Sequence, residues 1–355
     1  MQLFDSLKIL GFDHLEFAVA DLEKSSELYL RLGFEKVASR AILPRKLKSH
    51  LFVSGSIQIL ISQSDDSSDP VAQFVASHGD GIIDIAFHCE NAYSTFESCV
   101  RRGATVCYPP KAYTRDFGSL EFASIKAFGN IRHTFISRRG NFFAESFGLP
   151  IKSHSPTYAL NEIDHLGINV EREALEKWLI FYEKIFGLER QVTSTESGQH
   201  FHVLQSPTRG IRFTFNAPRA NRPQIQEFIT IYHGSGVEHV GFQSTDMFAS
   251  VERIRKEGIK CVEVPPTYFQ NLKSSQIHLT ENLSILERLG ILVDVESGGY
   301  LLQTSTERVV GPLFFEFLQR KGNLGYGDAS YSALATAIDQ DRIRRGILDT
   351  PEPGQ

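Results

Sequence analysis

The 355-residue chain lacks several features that whole classes of protein require. Its four cysteines, Cys89, Cys99, Cys107 and Cys261, show no CxxC spacing, which argues against a zinc site or disulfide framework and favours buried, reduced thiols. Lys and Arg number 37 against 42 Asp and Glu, without a basic cluster, so no nucleic-acid partner is expected. No apolar run approaches the length of a membrane span, and the first residues, MQLFDSLKIL, lack the pattern of a signal peptide. We therefore expect a cytoplasmic protein without a membrane partner.

The most informative feature that is present is an internal repeat. FDHLEFAV (12–19) recurs as IDHLGINV (163–170), and GIIDIAFHCENAYSTFESCVRRGATVCYPP (81–110) recurs as GVEHVGFQSTDMFASVERIRKEGIKCVEVPP (236–266). Each longer segment predicts a strand, an N-cap at Asn91 or Asp246, an amphipathic helix, a glycine, and a second strand that ends at Pro-Pro. Two halves of similar fold follow from the duplication.

The two halves predict an α+β fold. We place the boundary in the polar stretch near KSHSPT, so that the domains span residues 1–152 and 153–355. Their strands are short and alternate with amphipathic helices, which favours curved sheets that close around a cavity with helices outside. A solenoid is disfavoured because there are only two repeats and both are long.

Comparison of the two repeats isolates one histidine. His239 occupies the position of Asp84, whereas His165 matches His14. Both second-half histidines lie mid-strand on apolar faces, each sharing its face with a glycine that leaves room for another group. Glu316, within GPLFFEFLQR, is likewise surrounded by Leu and Phe, where a carboxylate needs a partner, a proton or a metal.

Two histidines and one carboxylate on separate strands are the ligands of the facial triad that holds Fe(II) in non-haem oxygenases. A single buried histidine is more often a satisfied core residue than a ligand. The coincidence of His165, His239 and Glu316 in one half favours a metal site. The first half is expected to be metal-free, because Glu145 in NFFAESFG is its only candidate for a third ligand.

A family resemblance extends over nearly the whole chain. The order and spacing of IDHLGINV, RFTFNAPRANRPQIQEFI, GSGVEHVGF, VPPTYFQNL, YLLQTSTERVVGPLFFEFLQRKG and LGYGDASYSAL resemble the 4-hydroxyphenylpyruvate dioxygenase family of the vicinal oxygen chelate superfamily. The resemblance implies four βαβββ modules that form two open-barrel domains, the second closed by a C-terminal gate helix. It also implies Fe(II) bound by His165, His239 and Glu316.

The same resemblance implies an activity and partners. Members of the family oxidatively decarboxylate and hydroxylate 4-hydroxyphenylpyruvate with O2 to give homogentisate, a step of tyrosine catabolism. The implied partners are therefore a small 2-oxo acid and O2, and the implied assembly is a homo-oligomer, either a dimer or a tetramer.

The resemblance carries over a set of substrate contacts, some retained and some altered. Retained are Asn216, Gln224, Gln303 and Phe314. Altered are Phe201 for a serine, Thr214 for a proline, Glu238 for a glutamine, Ser305 for a phenylalanine, and Tyr326 and Tyr331 for two phenylalanines. Tyr331, Leu334 and Ile338 recur at helical spacing, as a gate helix requires.

These departures leave three classes of function open: a 4-hydroxyphenylpyruvate dioxygenase, an oxygenase that resembles 4-hydroxymandelate synthase or has a changed 2-oxo acid substrate, and a binding protein. Thr214 also occurs in related 4-hydroxymandelate synthases, whereas an aromatic residue at Tyr331 favours the dioxygenase reaction. Phe201 and Ser305 exchange bulk in a way that suits a different 2-oxo acid. A binding protein without catalytic activity on the same scaffold is the third possibility, and the intact metal ligands weigh against it.

Overall fold

The computed structural model describes residues 7–116, 118–140, 160–194, 200–218, 223–275, 277–296, 298–327, 330, 333–334 and 336. No helix within these ranges is long and apolar enough to cross a membrane. Two curved sheets account for most of the described chain, one in each half.

The first half has eight strands and three α-helices in its described part. The strands are β1 (Ile9–Ala18), β2 (Glu35–Ile42), β3 (Leu47–Ser54), β4 (Ile57–Ser64), β5 (Gly81–Cys89), β6 (Val106–Arg115), β7 (Gly118–Lys126) and β8 (Arg132–Gly140). The helices are α1 (Leu22–Arg31), α2 (Pro70–His78) and α3 (Ala92–Arg101), with a short 3-10 turn at Leu43–Arg45.

The second half repeats this order over its described residues and adds two helices. The strands are β9 (Leu160–Asn169), β10 (Glu189–Ser194), β11 (His200–Gln205), β12 (Arg212–Asn216), β13 (Gly236–Ser244), β14 (Leu292–Glu296), β15 (Gly299–Ser305) and β16 (Phe314–Lys321). The helices are α4 (Leu175–Phe181, continued by a π turn at Tyr182–Phe186), α5 (Pro223–Tyr232), α6 (Met247–Lys256), α7 (Pro266–Ser274) and α8 (Leu283–Leu289).

Strand pairing follows the same order in both halves. The first sheet runs β2-β3-β4-β1-β5-β8-β7-β6 and the second runs β10-β11-β12-β9-β13-β16-β15-β14. Each is two βαβββ modules joined by an antiparallel contact, β1 with β5 or β9 with β13. The predicted duplicated vicinal oxygen chelate fold is confirmed.

The helix boundaries agree with the capping residues in the repeat. Asn91 and Asp246 cap α3 and α6 by accepting hydrogen bonds from the backbone N–H groups of Ser94 and Ala249. Gly103 and Gly258 follow those helices with φ angles of 105° and 73°, which a residue with a side chain rarely adopts. The repeat therefore ends its helices by the same local chemistry twice.

The strand predicted before the second Pro-Pro was wrong. In the first half, Pro109 and Pro110 lie inside β6, an edge strand that tolerates missing N–H donors. In the second half the segment forms only an isolated bridge from Cys261 to Thr306. Pro266 then begins α7, because proline suits the first turn of a helix as well as it suits an edge strand.

One apolar core joins the two halves. Aromatic rings meet across the boundary, as in the pairs Phe17–Phe315 and Phe34–Phe242, whose ring centroids lie 6.4 and 5.6 Å apart. Strand residues therefore pack against the other half on one face and line the cavity on the other, as period-two alternation requires.

A buried polar contact also joins the halves. His133 of β8 is fully buried, its Nδ1 donates to the Ile85 carbonyl, and its Nε2 accepts a hydrogen bond of 2.6 Å from the Tyr182 hydroxyl. Burial lowers the pKa of His133 to about 4, so this histidine is neutral in the folded chain at physiological pH.

The cysteines behave largely as expected. All four are free, and Cys89, Cys99 and Cys261 are buried, whereas Cys107 is half-buried.

Candidate metal centre

Three adjacent strands of the second sheet carry the predicted ligands. His165 of β9 is paired in register with Gly241 of β13, and His239 of β13 is paired with Gly167 of β9. Glu316 of β16 lies beside Gly241 on the other side of β13. Residues that are far apart in sequence are thereby placed on neighbouring strands.

The ligand atoms of these three residues converge. Nε2 of His165 lies 3.2 Å from Nε2 of His239 and 3.1 Å from Oε2 of Glu316, and all three ligand atoms fall within 4.8 Å of one another. His165 and Glu316 are each 2% exposed. Among the described residues this is the group of histidine, cysteine and acidic side chains that is arranged to hold a metal ion.

The two glycines make this convergence possible. A Cβ atom at Gly241 would lie 2.6 Å from Cε1 of His165, and a Cβ atom at Gly167 would overlap the imidazole of His239. Each histidine therefore occupies space that the opposite strand leaves open by having no side chain. The sequence predicted the empty space, but not that each glycine serves the histidine of the other strand.

Asp164 and Arg320 orient His165, and the sequence analysis assigned them no role. Oδ1 of Asp164 lies 3.0 Å from Nδ1 of His165, which directs Nε2 toward the centre. Arg320 holds Asp164 through two hydrogen bonds of 2.7 Å. A carboxylate behind a ligand histidine is the usual outer support of a metal site. The repeated Asp-His pair, Asp13-His14 and Asp164-His165, was the sequence signal for the aspartate, and in the structure Arg138 contacts Asp13 as Arg320 contacts Asp164.

The charge of the site favours a bound cation. Burial alone would lower the pKa of His165, but hydrogen bonds to Asp164 and Glu316 raise it to about 9. Without a metal, a proton therefore resides on His165 at neutral pH, and a metal ion that binds there displaces it.

The ligand spacing fits a first-row metal ion. Two ligand atoms about 2.1 Å from a metal and at right angles to each other lie roughly 3 Å apart, which matches the separations around His165. A nitrogen and carboxylate donor set with further positions open suits Fe(II). The residues present thus fit the metal that the triad predicts.

Five of the predicted substrate contacts lie on the strands that carry or flank the metal ligands. The ring of Phe314 stacks on His239 with centroids 4.9 Å apart, and Ser305 is paired in register with Glu316. Thr214 lies beside Gly167, and its buried hydroxyl has no hydrogen-bond partner among the described residues. Asn216 and Gln303 are also buried, on β12 and β15.

Gln303 and Tyr326 connect the centre to the C-terminal segment. The amide nitrogen of Gln303 donates to the Gly327 carbonyl at 3.2 Å and to the Ser330 hydroxyl, while Oε1 has no partner within the described ranges. The Tyr326 ring packs edge-on against His165 with centroids 6.4 Å apart, and its hydroxyl donates to Gln205 at 2.7 Å. The Gln303 amide oxygen is therefore an available acceptor on β15, the strand that pairs with the Glu316 strand β16.

Other predicted positions are not brought together with this set. Gln224 is exposed on α5. Phe201 lies in β11, where its backbone pairs with Thr193, but its side chain is not among those that the structure describes. Tyr331 and Ile338 lie outside the described residues, whereas Leu334 of the expected gate helix is buried.

Glu238 lies next to the centre at a β-bulge. The pairing of β13 with β9 skips one residue between Val237 and His239, which is Glu238. Its Oε2 lies 3.7 Å from Nδ1 of His239, too far for a hydrogen bond. Neighbouring residues of a regular strand point to opposite faces, but a bulge redirects side chains. Glu238 therefore borders the centre although it is next to His239 in sequence.

The first half fills the corresponding position differently, and the proposed counterpart of Glu316 has to be corrected. Strand β8 takes the place of β16, and the pairing of Asp84 with Arg132 puts Thr134, not Glu145, at the Glu316 position. Glu145 lies outside the described residues.

A buried arginine lies between two carboxylates at the corresponding position of the first half. Nε of Arg132 donates to Asp84 at 2.7 Å, and Nη2 donates to Glu16, which is the counterpart of Gly167. Burial disfavours the charge, but the two carboxylates more than compensate and raise the pKa of Arg132 above its usual value. An internal cation therefore lies where the second half offers metal ligands.

Comparison with known proteins agrees with this geometry. Residues 5–144 match the family model described as Hydroxyphenylpyruvate dioxygenase, HPPD, N-terminal, and residues 162–293 match the Glyoxalase/Bleomycin resistance protein/Dioxygenase superfamily. The chain is 30% identical to the 4-hydroxyphenylpyruvate dioxygenase of Legionella pneumophila strain Corby over 95% of this chain and 96% of the relative. The chain belongs to the 4-hydroxyphenylpyruvate dioxygenase family.

Other members of this family and its structural neighbours give the same result. The 4-hydroxyphenylpyruvate dioxygenase of Pseudomonas aeruginosa is 30% identical over 95% of this chain and 96% of its own length. A mutant of 4-hydroxymandelate synthase from Streptomyces coelicolor matches in structure with a TM-score of 0.79, at 26% identity over 94% of this chain and 98% of that one. The family implies dioxygenase chemistry with a metal, and His165, His239 and Glu316 are the residues placed to hold it.

Proposed function

We propose that this protein is a non-haem Fe(II)-dependent dioxygenase that converts 4-hydroxyphenylpyruvate and O2 into homogentisate and CO2, as in tyrosine catabolism. The observation that carries the proposal is the convergence of His165, His239 and Glu316, with separations of 3.1 and 3.2 Å around Nε2 of His165. Iron held there would coordinate the 2-oxo acid and O2 and supply the redox chemistry.

The charges of the ligands suit such a substrate. Two neutral histidines and one carboxylate leave a divalent cation with one net positive charge. The carboxylate of a 2-oxo acid neutralises that charge, which matters because an uncompensated charge in a buried site is unfavourable. Asp164, held by Arg320, keeps the His165 ring oriented while the substrate enters.

The remaining residues position the aromatic ring and exclude water. Phe314 provides an apolar wall directly over His239. Thr214 and Gln303 supply a buried hydroxyl and a buried amide oxygen that have no partner within the described residues, so both are available to a hydroxyl on the ring. A dry cavity limits side reactions of the activated oxygen species.

The finer features of the protein follow from the family rather than from the geometry. We infer that the metal is iron, that residues 1–152 and 153–355 form the metal-free and the catalytic domain, and that the protein is a cytoplasmic homo-oligomer. Sedimentation analysis of the purified chain distinguishes a dimer or tetramer from a monomer.

A second candidate is a reaction like that of 4-hydroxymandelate synthase, in which the benzylic carbon is hydroxylated instead of the ring. The Thr214 hydroxyl, which has no hydrogen-bond partner among the described residues, favours it because threonine is shared with those synthases, and the structural match to one of them agrees. Both reactions use the same metal ligands and differ in how the ring is held.

One experiment tests the proposal and separates the two reactions. The anaerobically Fe(II)-loaded protein is mixed with O2 and a panel of aryl 2-oxo acids, while oxygen uptake and product mass and retention are followed. Homogentisate from 4-hydroxyphenylpyruvate supports the first function, and 4-hydroxymandelate supports the second. Absence of uptake with every aryl 2-oxo acid refutes both, and a protein that binds no Fe(II) supports a binding role instead.

A further inference from the structure

A second cavity lies in the first half, away from the metal centre. It has a volume of about 440 Å³ and lies between α2, β6 and β8. Phe74, Ser77, Tyr108, Lys126, Asn130 and Arg132 contribute to its lining. This volume is within the usual range for small-molecule sites, roughly 300 to 1,000 Å³.

The cavity is the counterpart of one beside the metal centre. In the second half a cavity of about 510 Å³ is lined by Phe314, Ser305 and Glu307, among others. The register of the sheets makes Arg132 the equivalent of Phe314, because Arg132 pairs with Asp84 as Phe314 pairs with His239. The duplication thus produced two pockets at equivalent positions with different linings.

The floor of the first-half cavity carries free donors. Arg132 uses Nε and Nη2 to bind Asp84 and Glu16, and its Nη1 forms no hydrogen bond within the described part of the chain. Lys126, paired with Arg132 across β7 and β8, is exposed at the rim.

The charge balance around these donors is positive. Burial raises the pKa of the Glu16 carboxyl, but Arg132 and, to a smaller extent, Arg40 lower it below its usual value, so Arg40 and Arg132 balance Glu16 and Asp84. Lys126 then adds one positive charge at the rim. The cavity therefore favours an anion over a neutral or cationic ligand.

The walls of the cavity are partly aromatic. The Tyr108 ring lies 5.8 Å from the Arg132 guanidinium carbon, and it is 36% exposed. Phe74 of α2 forms part of the opposite side. Such walls favour a flat apolar group attached to the anion.

We propose that this cavity binds a small aromatic carboxylate. The carboxylate accepts hydrogen bonds from Nη1 of Arg132 and from the Lys126 ammonium group, and the ring lies against Tyr108. We assign binding and no reaction to this site; burial raises the pKa of the Cys107 thiol on its wall, which disfavours the nucleophilic thiolate. This inference does not depend on the proposed oxygenation.

The test is calorimetric titration of phenylacetate into the full-length, Fe(II)-loaded protein under anaerobic conditions. The fluorescence of Trp178 is a second signal, since it is the single tryptophan and packs on Phe128, next to Ala127 in the cavity wall. We expect saturable binding that toluene, which has no charge, does not show.

Variants locate the site. Lys126→Glu and Tyr108→Ala should each weaken phenylacetate binding about fivefold or more. Tyr113→Ala is the matched control, because Tyr113 is exposed on the same strand but stacks on Phe122 outside the cavity. His165→Ala should leave binding unchanged.

Three results would overturn the inference. They are absence of saturable binding up to about 10 mM phenylacetate, equal affinity in both cavity variants and the unchanged protein, and loss of binding in His165→Ala. The last result would place the ligand at the metal centre. None of these outcomes bears on whether the iron-loaded protein turns over an aryl 2-oxo acid.

Discussion

The two halves of this molecule both bury charged side chains at equivalent positions, but they compensate the buried charge differently. Each folds polar and charged side chains into the cavity of an eight-stranded curved sheet. The second half brings together His165, His239 and Glu316, which need a cation from solution. The first half provides its own cation, because Arg132 forms ion pairs with both Asp84 and Glu16. A shared backbone therefore fixes where charge is buried, and a few side chains decide whether that position becomes a metal site or a structural ion pair.

Removal of Glu316 should have the largest effect. Glu316→Ala deletes the anionic ligand, and we expect Fe(II) affinity to fall by more than the roughly 100-fold typical of outer-shell changes, with loss of turnover. Equilibrium metal titration and oxygen uptake measure both. The matched variant Thr134→Ala, at the equivalent position in the first half, should leave both unchanged. Full activity in Glu316→Ala would remove this residue from the ligand set.

Removal of Arg132 tests the structural role of the buried ion pairs in the first half. Arg132→Met leaves Asp84 and Glu16 buried without their cation, and the free energy of unfolding should fall by about 3 to 5 kcal/mol. Urea denaturation measures this loss. The triple variant that adds Asp84→Asn and Glu16→Gln should recover most of it. A loss of metal binding with unchanged stability would contradict the structural role.

The free energy of unfolding should depend on pH through His133, which joins the two halves. The unfolded chain protonates His133 near pH 6.5, whereas the folded chain does so only near 4, because burial lowers the pKa of this side chain. The unfolded state therefore binds more protons between these values, and stability falls as pH drops from about 6.5 to 4, by up to roughly 3 kcal/mol. Above pH 6.5 this contribution is constant.

His133→Gln isolates that contribution. The variant keeps an amide oxygen for the Tyr182 hydroxyl but has no group that titrates in this range. Its free energy of unfolding should depend less on pH between 4 and 6.5 than that of the unchanged protein. Equal slopes for the two proteins would show that His133 is not the group responsible.

The smallest effect is expected for Asp164, whose replacement should lower Fe(II) affinity, whereas replacement of its first-half equivalent Asp13 should not. Asp164→Asn weakens the support of His165, and Fe(II) affinity should fall by about 10- to 100-fold. Asp13→Asn changes the equivalent pair with His14 and should leave Fe(II) affinity unchanged. Metal titration and urea denaturation of both variants separate the two effects. Equal metal affinity in the two variants would mean that Asp164 has no role beyond packing.

Much of the fold, and the meeting of His165, His239 and Glu316, could be predicted because each repeat can be compared with the other. His239 was identifiable as the residue that replaces Asp84, and Glu316 as a carboxylate among aromatic residues. The role of Arg320 was not visible, because its contact with Asp164 depends on strand register across 156 residues. Register also decided that Thr134, not Glu145, is equivalent to Glu316.

Local sequence failed where the same residues are compatible with two structures. Pro-Pro occurs at equivalent points of both repeats, yet it lies inside β6 in one half and precedes α7 in the other. Neither proline supplies an N–H donor, so both an edge strand and a helix start accept the pair. The exposure of Gln224 could not be predicted either, because a motif match does not show which face of a helix points to solvent.

The reciprocal glycines have a consequence for how such a centre arises and is lost. Gly167 and Gly241 bind nothing, yet each determines whether a ligand on the facing strand has room. The first half has Glu16 and Ala86 at those two places. Relative to the first half, a histidine in place of Asp84 and a glutamate in place of Thr134 would not be enough to create the centre, because the side chains of Glu16 and Ala86 would also have to be removed. In distant relatives, the glycines are therefore as informative a marker of metal competence as the ligands themselves.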